Sequence, residues 1–328
     1  MKRRTVFIVP AILLFLLFTG IFIILYFTQT PFPQKEIRVV AVLKTIDTNM
    51  EFWEVVKTAM RMAANELGIG LEIVGPPDES DIESQIRIME AVIQQKPSVI
   101  ILAATDRERL VPLVEKAHHQ RIPVITLDSG VKSPLPRTFV ATNNVEAARE
   151  LARYAQNHIP PESMVAIVNH IPGATTAIER EQGVRSILEK DPRFTIIGTY
   201  FTDNFEENAY TIARSLMNQY PRLRALLAMN EVSVIGCARA IRDLEKKGKV
   251  QLYGFDNSLV EVQFLEEGVL NATVIQRPFT MGYLSVQIAV DVLRGKTFPS
   301  FTDTGSVLIT PENMYYPEHQ KLLFPFVK

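Results

Sequence analysis

The stretch Arg38-Val39-Val40-Ala41-Val42-Leu43-Lys44, followed after a polar loop by Trp53-Glu54-Val55-Val56-Lys57-Thr58-Ala59-Met60-Arg61-Met62-Ala63-Ala64-Asn65-Glu66-Leu67-Gly68, decides the fold. A short, Val-rich apolar run without alternation reads as a strand covered on both faces, the condition of a parallel sheet. In the second run Val55, Val56, Ala59, Met62, Ala63 and Leu67 fall at helical spacing, and Gly68 supplies a left-handed stop. Together they make one βα unit, and the rhythm repeats downstream. Further strands are expected at 71–74, 98–103, 124–128, 138–142, 164–169, 195–200, 225–229, 250–255 and 272–275. Helices are expected at 81–94, 145–157, 176–189, 206–219, 232–246 and 279–293, the first of these capped by Ser80 with Glu83 at its third position and Pro97 beyond its end. No exact internal repeat or low-complexity tract interrupts the pattern. An open α/β sheet in each of two lobes accommodates ten strands better than one continuous sheet.

Upstream of the first strand, residues 5–27 carry no charge and follow Lys2, Arg3 and Arg4. At ~1.5 Å per residue such a helix spans about 35 Å, enough for a hydrocarbon core of roughly 30 Å. A cleaved signal peptide is the competing reading. It wants about 7–15 apolar residues and a small-x-small site, whereas this run is longer and is followed by the bulky Leu25-Tyr26-Phe27. The expectation is a cytoplasmic basic stub (1–4), a transmembrane anchor (5–27) and a stiff proline-containing linker (28–36), which together hold the following domain at the cell membrane as a single-pass, extracytoplasmic protein.

About 300 residues remain, more than one hydrophobic core usually serves. With 35 Lys and Arg against 36 Asp and Glu the net charge is −1, and no basic face stands out for nucleic acid. The single cysteine, Cys237, excludes a disulfide framework and a multi-thiolate metal site; inside an apolar helix it reads as a small buried side chain. No cofactor or metal motif is present: Gly68-Ile69-Gly70 lacks the third glycine of a dinucleotide turn, and Asp47-Thr48-Asn49 resembles a calcium loop without its glycine and closing glutamate. Of the five histidines, His118, His119 and His158 sit late in helices, where a cation suits the dipole, and only His170 falls at a strand end, with no serine or cysteine placed to use it.

In open parallel sheets ligands bind at the carboxyl ends of strands. The polar residues there are Lys44, Thr105-Asp106, Asp128-Ser129, Asn143-Asn144, Asn169-His170, Asn230-Glu231, Asp256-Asn257 and Gln276-Arg277. A cleft of carboxylates, carboxamides and a few cations, with the aromatic rings of Phe52 and Trp53 nearby, suits a neutral polyol: fixed donors and acceptors for hydroxyls and flat surfaces for C–H groups. For each residue alone a plainer role is available: turn or cap for the Asp and Asn side chains, helix-face core for Trp53.

Eight spaced pieces carry a resemblance. They are Lys44-Thr45 through Asn49-Met50-Glu51-Phe52-Trp53, Gly75-Pro76-Pro77, Ile122-Pro123-Val124-Ile125-Thr126-Leu127-Asp128-Ser129, Ala141-Thr142-Asn143-Asn144, Glu179-Arg180-Glu181-Gln182-Gly183, Ala228-Met229-Asn230-Glu231, Gly254-Phe255-Asp256 and Ala272-Thr273-Val274-Ile275-Gln276. In this order they are similar to the type I periplasmic-binding-protein-like family, the ribose/xylose/galactose-type sugar-binding proteins, over roughly 37–315. The resemblance implies an α/β fold of two Rossmann-like lobes with parallel sheets, 37–142 with 277–302 and 143–276 with 303–328, joined by a three-strand hinge and closing over a monosaccharide. It implies Phe52 and Trp53 as a stacking pair and Asp128, Arg180, Asn230, Asp256 and Gln276 as hydroxyl ligands. Two departures follow: Ser129 stands where ribose-binding relatives have an arginine, and Lys44 where they have a small polar residue. Lys44 is similar to the lysine of rhamnose- and furanosyl-autoinducer-binding relatives, so the sugar stays open.

These expectations describe a binding protein, not an enzyme, that presents its ligand or its signal to a membrane partner, either an ABC permease or a sensor histidine kinase. The alternatives are a receptor for a non-sugar ligand such as a furanosyl autoinducer, a hydrolase, or a sugar-responsive transcription regulator. The last would carry a DNA-binding helix-turn-helix where this chain has an apolar span.

Overall fold

The computed structural model describes residues 37–324 together with Phe18 and Thr19, and the chain from Arg38 onward forms one compact unit. Its first half alternates β1 (Arg38–Val42), α1 (Glu51–Leu67), β2 (Gly70–Val74), α2 (Ile82–Gln94), β3 (Val99–Leu102), α3 (Val111–His119), β4 (Val124–Leu127) and β5 (Phe139–Ala141). The second continues with α4 (Asn144–His158), β6 (Ser163–Asn169), α5 (Thr175–Leu188), β7 (Phe194–Phe201), α6 (Glu206–Gln219), β8 (Leu223–Ala228), α7 (Glu231–Asp243), β9 (Gln251–Phe255), α8 (Leu259–Glu266) and β10 (Ala272–Gln276). It closes with α9 (Pro278–Leu293), β11 (Phe301–Asp303), β12 (Ser306–Ile309) and α10 (Pro317–Leu323).

Two six-stranded sheets result, in the orders β11-β5-β4-β3-β1-β2 and β12-β10-β9-β8-β6-β7. Every pairing is parallel except β10 with β12. The strand pattern explains why both faces are covered. Along β6, Val165 and Ile167 enter a core shared with Ala148 and Leu151 of α4 and Val184 of α5, whereas Ala166 and Val168 enter one shared with Ala209 and Ala213 of α6 and Cys237 of α7. Successive side chains point to opposite faces, so a strand between two helical layers must be apolar throughout. The first sheet obeys the same rule: Val40 and Val42 pack with Met89 and Ile93 of α2 and Val114 of α3. Cys237 is fully buried, as its apolar helix required, and burial pushes its thiol well above the usual range.

The chain passes between the sheets three times: after β5, after β10 and between β11 and β12. Two of the crossings are tied together. Thr304 N donates to Ala141 O at 3.0 Å and Asn143 N to Asp303 Oδ1 at 3.1 Å. Across the open side the lobes also touch, through Arg107 N to Gly173 O at 2.9 Å and Thr175 Oγ1 to Gly130 O at 2.9 Å.

Several local expectations are corrected. The cap of α2 is Asp81, whose carboxylate accepts from Ser84 N at 2.9 Å; Ser80 lies one residue before it, and Glu83 is the second helical position. Met62 is 48% exposed, and Met60, two residues earlier, fills the core instead. The helix holding both begins at Glu51, which brings Phe52 into its first turn. Strands β11 and β12 and helices α8 and α10 were not anticipated. The span expected over 5–27 falls, but for Phe18 and Thr19, outside the described residues, as do the stub and the linker; among the described residues no helix is long and apolar enough to cross a membrane.

Candidate functional site

The carboxyl ends of β1, β4, β6, β8, β9 and β10 face one cleft, lined by Lys44, Met50, Phe52, Trp53, Glu79, Asp128, His170, Thr176, Arg180, Asn230, Glu231, Asp256 and Gln276. Eight of the nine residues read from the sequence are in this lining. The ninth, Ser129, stands just behind it, fully buried, its hydroxyl 3.4 Å from that of Thr176.

On the first lobe Lys44 Nζ meets Asp128 Oδ2 at 2.7 Å, with each side chain 4% exposed. Removing two ions from water costs several kcal/mol apiece, so a buried pair is weak evidence of stabilisation and calls for another reason to be there. Position supplies one, because both groups border the cleft. Lys44 Nζ also donates to Thr176 Oγ1 of the second lobe at 3.5 Å, and His170 Nε2 pairs with the same hydroxyl at 3.0 Å. Burial, then the charges of Lys44 and Arg180, hold the His170 imidazole well below its ordinary range. Its ring is neutral at pH 7, and its Nδ1 has no protein partner.

On the second lobe Arg180 is buried in the first turns of α5 and fixed from three sides. Nε donates to Asn144 Oδ1 at 2.9 Å, a terminal nitrogen donates to Met229 O at 2.6 Å, and the guanidinium lies 4.3 Å from the centroid of the Phe255 ring. The same terminal nitrogen stands 3.6 Å from Asp256 Oδ2. Gln276 Nε2 donates to the other Asp256 oxygen at 2.6 Å, leaving Gln276 Oε1 without a partner. Asn230 spends its carbonyl capping α7, accepting from Ser233 N at 3.1 Å, and its amide donates to Asn204 Oδ1 at 2.7 Å. The cap role and the cleft position therefore coexist in one residue.

Asp128 and Asp256 share a further property: φ is +58° and +75° respectively. Aspartate tolerates the left-handed region better than most residues, yet such a position still costs of the order of 1 kcal/mol. Each strand ends in this turn, which aims a short carboxylate into the cleft.

Phe52 and Trp53 meet edge to face, with ring centroids 5.1 Å apart. Trp53 is 1% exposed and its indole N–H is satisfied by Glu79, so it is at once a core side chain and a cleft wall. Burial raises the Glu79 carboxyl, against the opposing pull of Lys44 and the indole bond. Met50, Glu79, His170, Thr176 and Glu231 were not assigned to the site from sequence. His170 did carry a signal, its place at a strand end. Glu79 lies five residues past β2 and reaches the cleft only through the path of its loop.

Among the described residues no group of three or more His, Cys, Asp or Glu side chains is placed to hold a metal ion. A wider depression, lined by Pro160, Tyr220, Arg224, Lys249 and Gln251, lies at the opposite, amino ends of the second sheet's strands and gathers none of the convergent polar groups.

The model of a family described as periplasmic binding protein domain matches residues 40–297. The D-ribose/D-allose-binding protein of Pseudomonas aeruginosa is 28% identical over 274 residues, covering 81% of this chain and 84% of that protein. Among solved structures, a sugar transporter from Clostridium phytofermentans is 31% identical with a TM-score of 0.78, covering 84% of this chain and 99% of that one. An ABC transporter solute binding protein from Agrobacterium vitis with bound D-fucose is 29% identical with a TM-score of 0.84, covering 87% and 99%.

Proposed function

The chain belongs to the periplasmic binding protein domain family, and from that premise we propose that it binds a monosaccharide in the cleft between its lobes and signals or delivers that ligand to a membrane partner. One observation carries the reading: buried, oriented polar groups from both lobes (Lys44, Asp128, Arg180, Asp256, Gln276) converge beside two aromatic rings. That composition matches what hydroxyls and a C–H face require together. The relative named for D-ribose and D-allose and the solved solute binding protein with bound D-fucose support the same ligand class. Lys44 favours an aldose other than ribose, and a furanosyl autoinducer is the second reading for the same reason.

The lobes 37–142 with 277–302 and 143–276 with 303–328 would close about the three crossings as the ligand bridges them. Residues 5–27 would tether this domain to the membrane on its extracytoplasmic side. A tethered receptor stays beside one partner, which tilts the choice slightly from an ABC permease toward a sensor histidine kinase. Thermal unfolding of the full chain against a monosaccharide panel tests the ligand class, since a sugar at about 100 times its Kd adds roughly 2.7 kcal/mol. No rise with any sugar would remove the proposal. Loss of sugar uptake with intact induction of sugar genes, on deleting the protein, would assign the permease.

A further inference from the structure

Glu231 is the first residue of α7, directly after Asn230, and its side chain borders the cleft at 7% exposure. Its Oε2 is buried and has no hydrogen-bond partner. The charged groups that face it are Asp256 after β9, whose Oδ2 accepts from Glu231 N at 3.3 Å, Glu51 on α1, Glu79 after β2 and Glu261 on α8. The two cations of the cleft are engaged: Lys44 lies against Asp128, and Arg180 is held by Asn144, Met229 and Asp256. A carboxyl that borders the cleft in a dry, acid-rich corner, with one oxygen left without a partner, is better placed to donate a hydrogen bond than to carry a charge.

We infer that Glu231 contacts the ligand as a neutral carboxylic acid, donating its proton to a sugar oxygen, and that it makes binding weaken as pH rises. The inference rests on the monosaccharide reading above. Its chemistry is distinct from that of the other cleft residues, because Asp128 and Asp256 face cations whereas Glu231 faces carboxylates. Burial, then Asp256, Glu51 and Glu79, raise its carboxyl well above the ordinary range, in keeping with this geometry. Glu261, buried behind it with Oε1 also unpartnered, is raised in the same way, so the corner as a whole resists ionisation. The specificity that results is for a ligand presenting an acceptor oxygen at this corner. A ligand carboxylate or phosphate there would meet Asp256 instead.

The sign follows from proton linkage. A group neutral in the folded or bound state contributes fully below its ordinary pKa of roughly 4.3 and is lost as pH rises through its raised value. The experiment has two arms on the full chain. Without sugar, melting is followed from about pH 5 to about pH 9 for wild type, Glu231→Gln and Glu231→Ala. The wild type should lose stability relative to Glu231→Gln as pH rises, the titrations of the other carboxyls being largely common to both. Parallel curves overturn the neutral carboxyl. With D-ribose, D-allose, D-arabinose and D-fucose as probes, calorimetry over the same range should show wild-type affinity for the sugar that binds falling by up to about tenfold per pH unit above the midpoint. Glu231→Gln, which keeps a neutral donor, should hold affinity within about threefold and flatten the profile, and Glu231→Ala should lose about tenfold or more. An Ala variant that binds as the wild type does, or a Gln variant with the wild-type slope, overturns the contact. If none of the four binds, the sugar that the monosaccharide panel identifies takes their place; if no sugar of that panel binds the wild type, the monosaccharide reading falls and the contact with it, whereas the melting arm still decides the state of the carboxyl.

Discussion

At the scale of single residues, Arg180 and Asp256 are the most exposed to test. Arg180 donates to two acceptors and stands beside a third, and Asp256 accepts from Gln276 and from the Glu231 backbone. Truncating either strands buried partners, a loss of about 1–3 kcal/mol per group and more where a charge is left alone. Asp256→Ala and Arg180→Ala should each weaken sugar binding by a few kcal/mol in calorimetry; unchanged affinity in both would remove them from the site. Asp256, with Lys44, Asp128, Asn230 and Gln276, was legible because a parallel sheet delivers whatever follows each apolar run to one edge, whereas Arg180, inside α5, was reached only through the family resemblance. Glu79 was not legible, because no periodicity says where a loop returns. Glu231 was visible only as a neighbour of Asn230, since the carboxylates that surround it, Asp256, Glu51 and Glu79, come from other elements. The pairing of Lys44 with Asp128 likewise joins positions 84 apart in the chain, from strands that are not adjacent in the sheet.

At the scale of elements, glycines set how closely helices approach. A Cβ on Gly236 of α7 would sit 2.5 Å from Glu206 O and 2.6 Å from Ala209 Cβ of α6; one on Gly183 of α5 would meet Val145 O at 2.5 Å and Ala148 Cβ at 2.6 Å of α4; one on Gly282 of α9 would meet Val56 O of α1 at 2.5 Å. The obstacle in each case includes backbone, which cannot rotate away. Gly236→Ala should therefore cost about 1–3 kcal/mol despite alanine's better helix propensity, read as a lower melting temperature. A stabilised variant would show that the helices can part without loss. The ten long-range strands were readable as apolar runs, and β11 and β12 were not, for a physical reason. Phe301-Thr302-Asp303 and Ser306-Val307-Leu308-Ile309 are three and four residues long and lie at the outer edges of their sheets, where neither length nor full burial marks them. Helix α8 escaped for the opposite reason: Leu259 and Val260 are exposed while Val262, Phe264 and Leu265 are buried, so apolar residues do not trace one face.

At the scale of the whole molecule, the lobes meet at the loop between β6 and α5. Gly173 of that loop lies so close to Asp106 of the first lobe that an added Cβ would stand 2.1 Å from Asp106 Oδ2. Asp106 is itself held, its Oδ1 accepting from Glu108 N at 2.8 Å and Arg109 N at 2.9 Å. Gly173→Ala should resist closure without touching the ligand wall. The expected result is sugar affinity lower by roughly 1–2 kcal/mol, the lower part of the overpacking range, with each lobe's interior packing unchanged. Equal affinity in calorimetry would show that this contact does not limit closure.

The left-handed turns at Asp128 and Asp256 have a consequence for how such a cleft changes over evolutionary time. Aspartate, asparagine and glycine tolerate that backbone conformation far more readily than branched or bulky residues. Lineages descending from this chain can thus exchange acceptor for donor at either point, or delete the group, with little disturbance of the turn, whereas a longer or branched side chain would have to rebuild the strand end beneath it. Ligand preference is then free to drift in polarity at two anchored coordinates while the turns that present them stay in place.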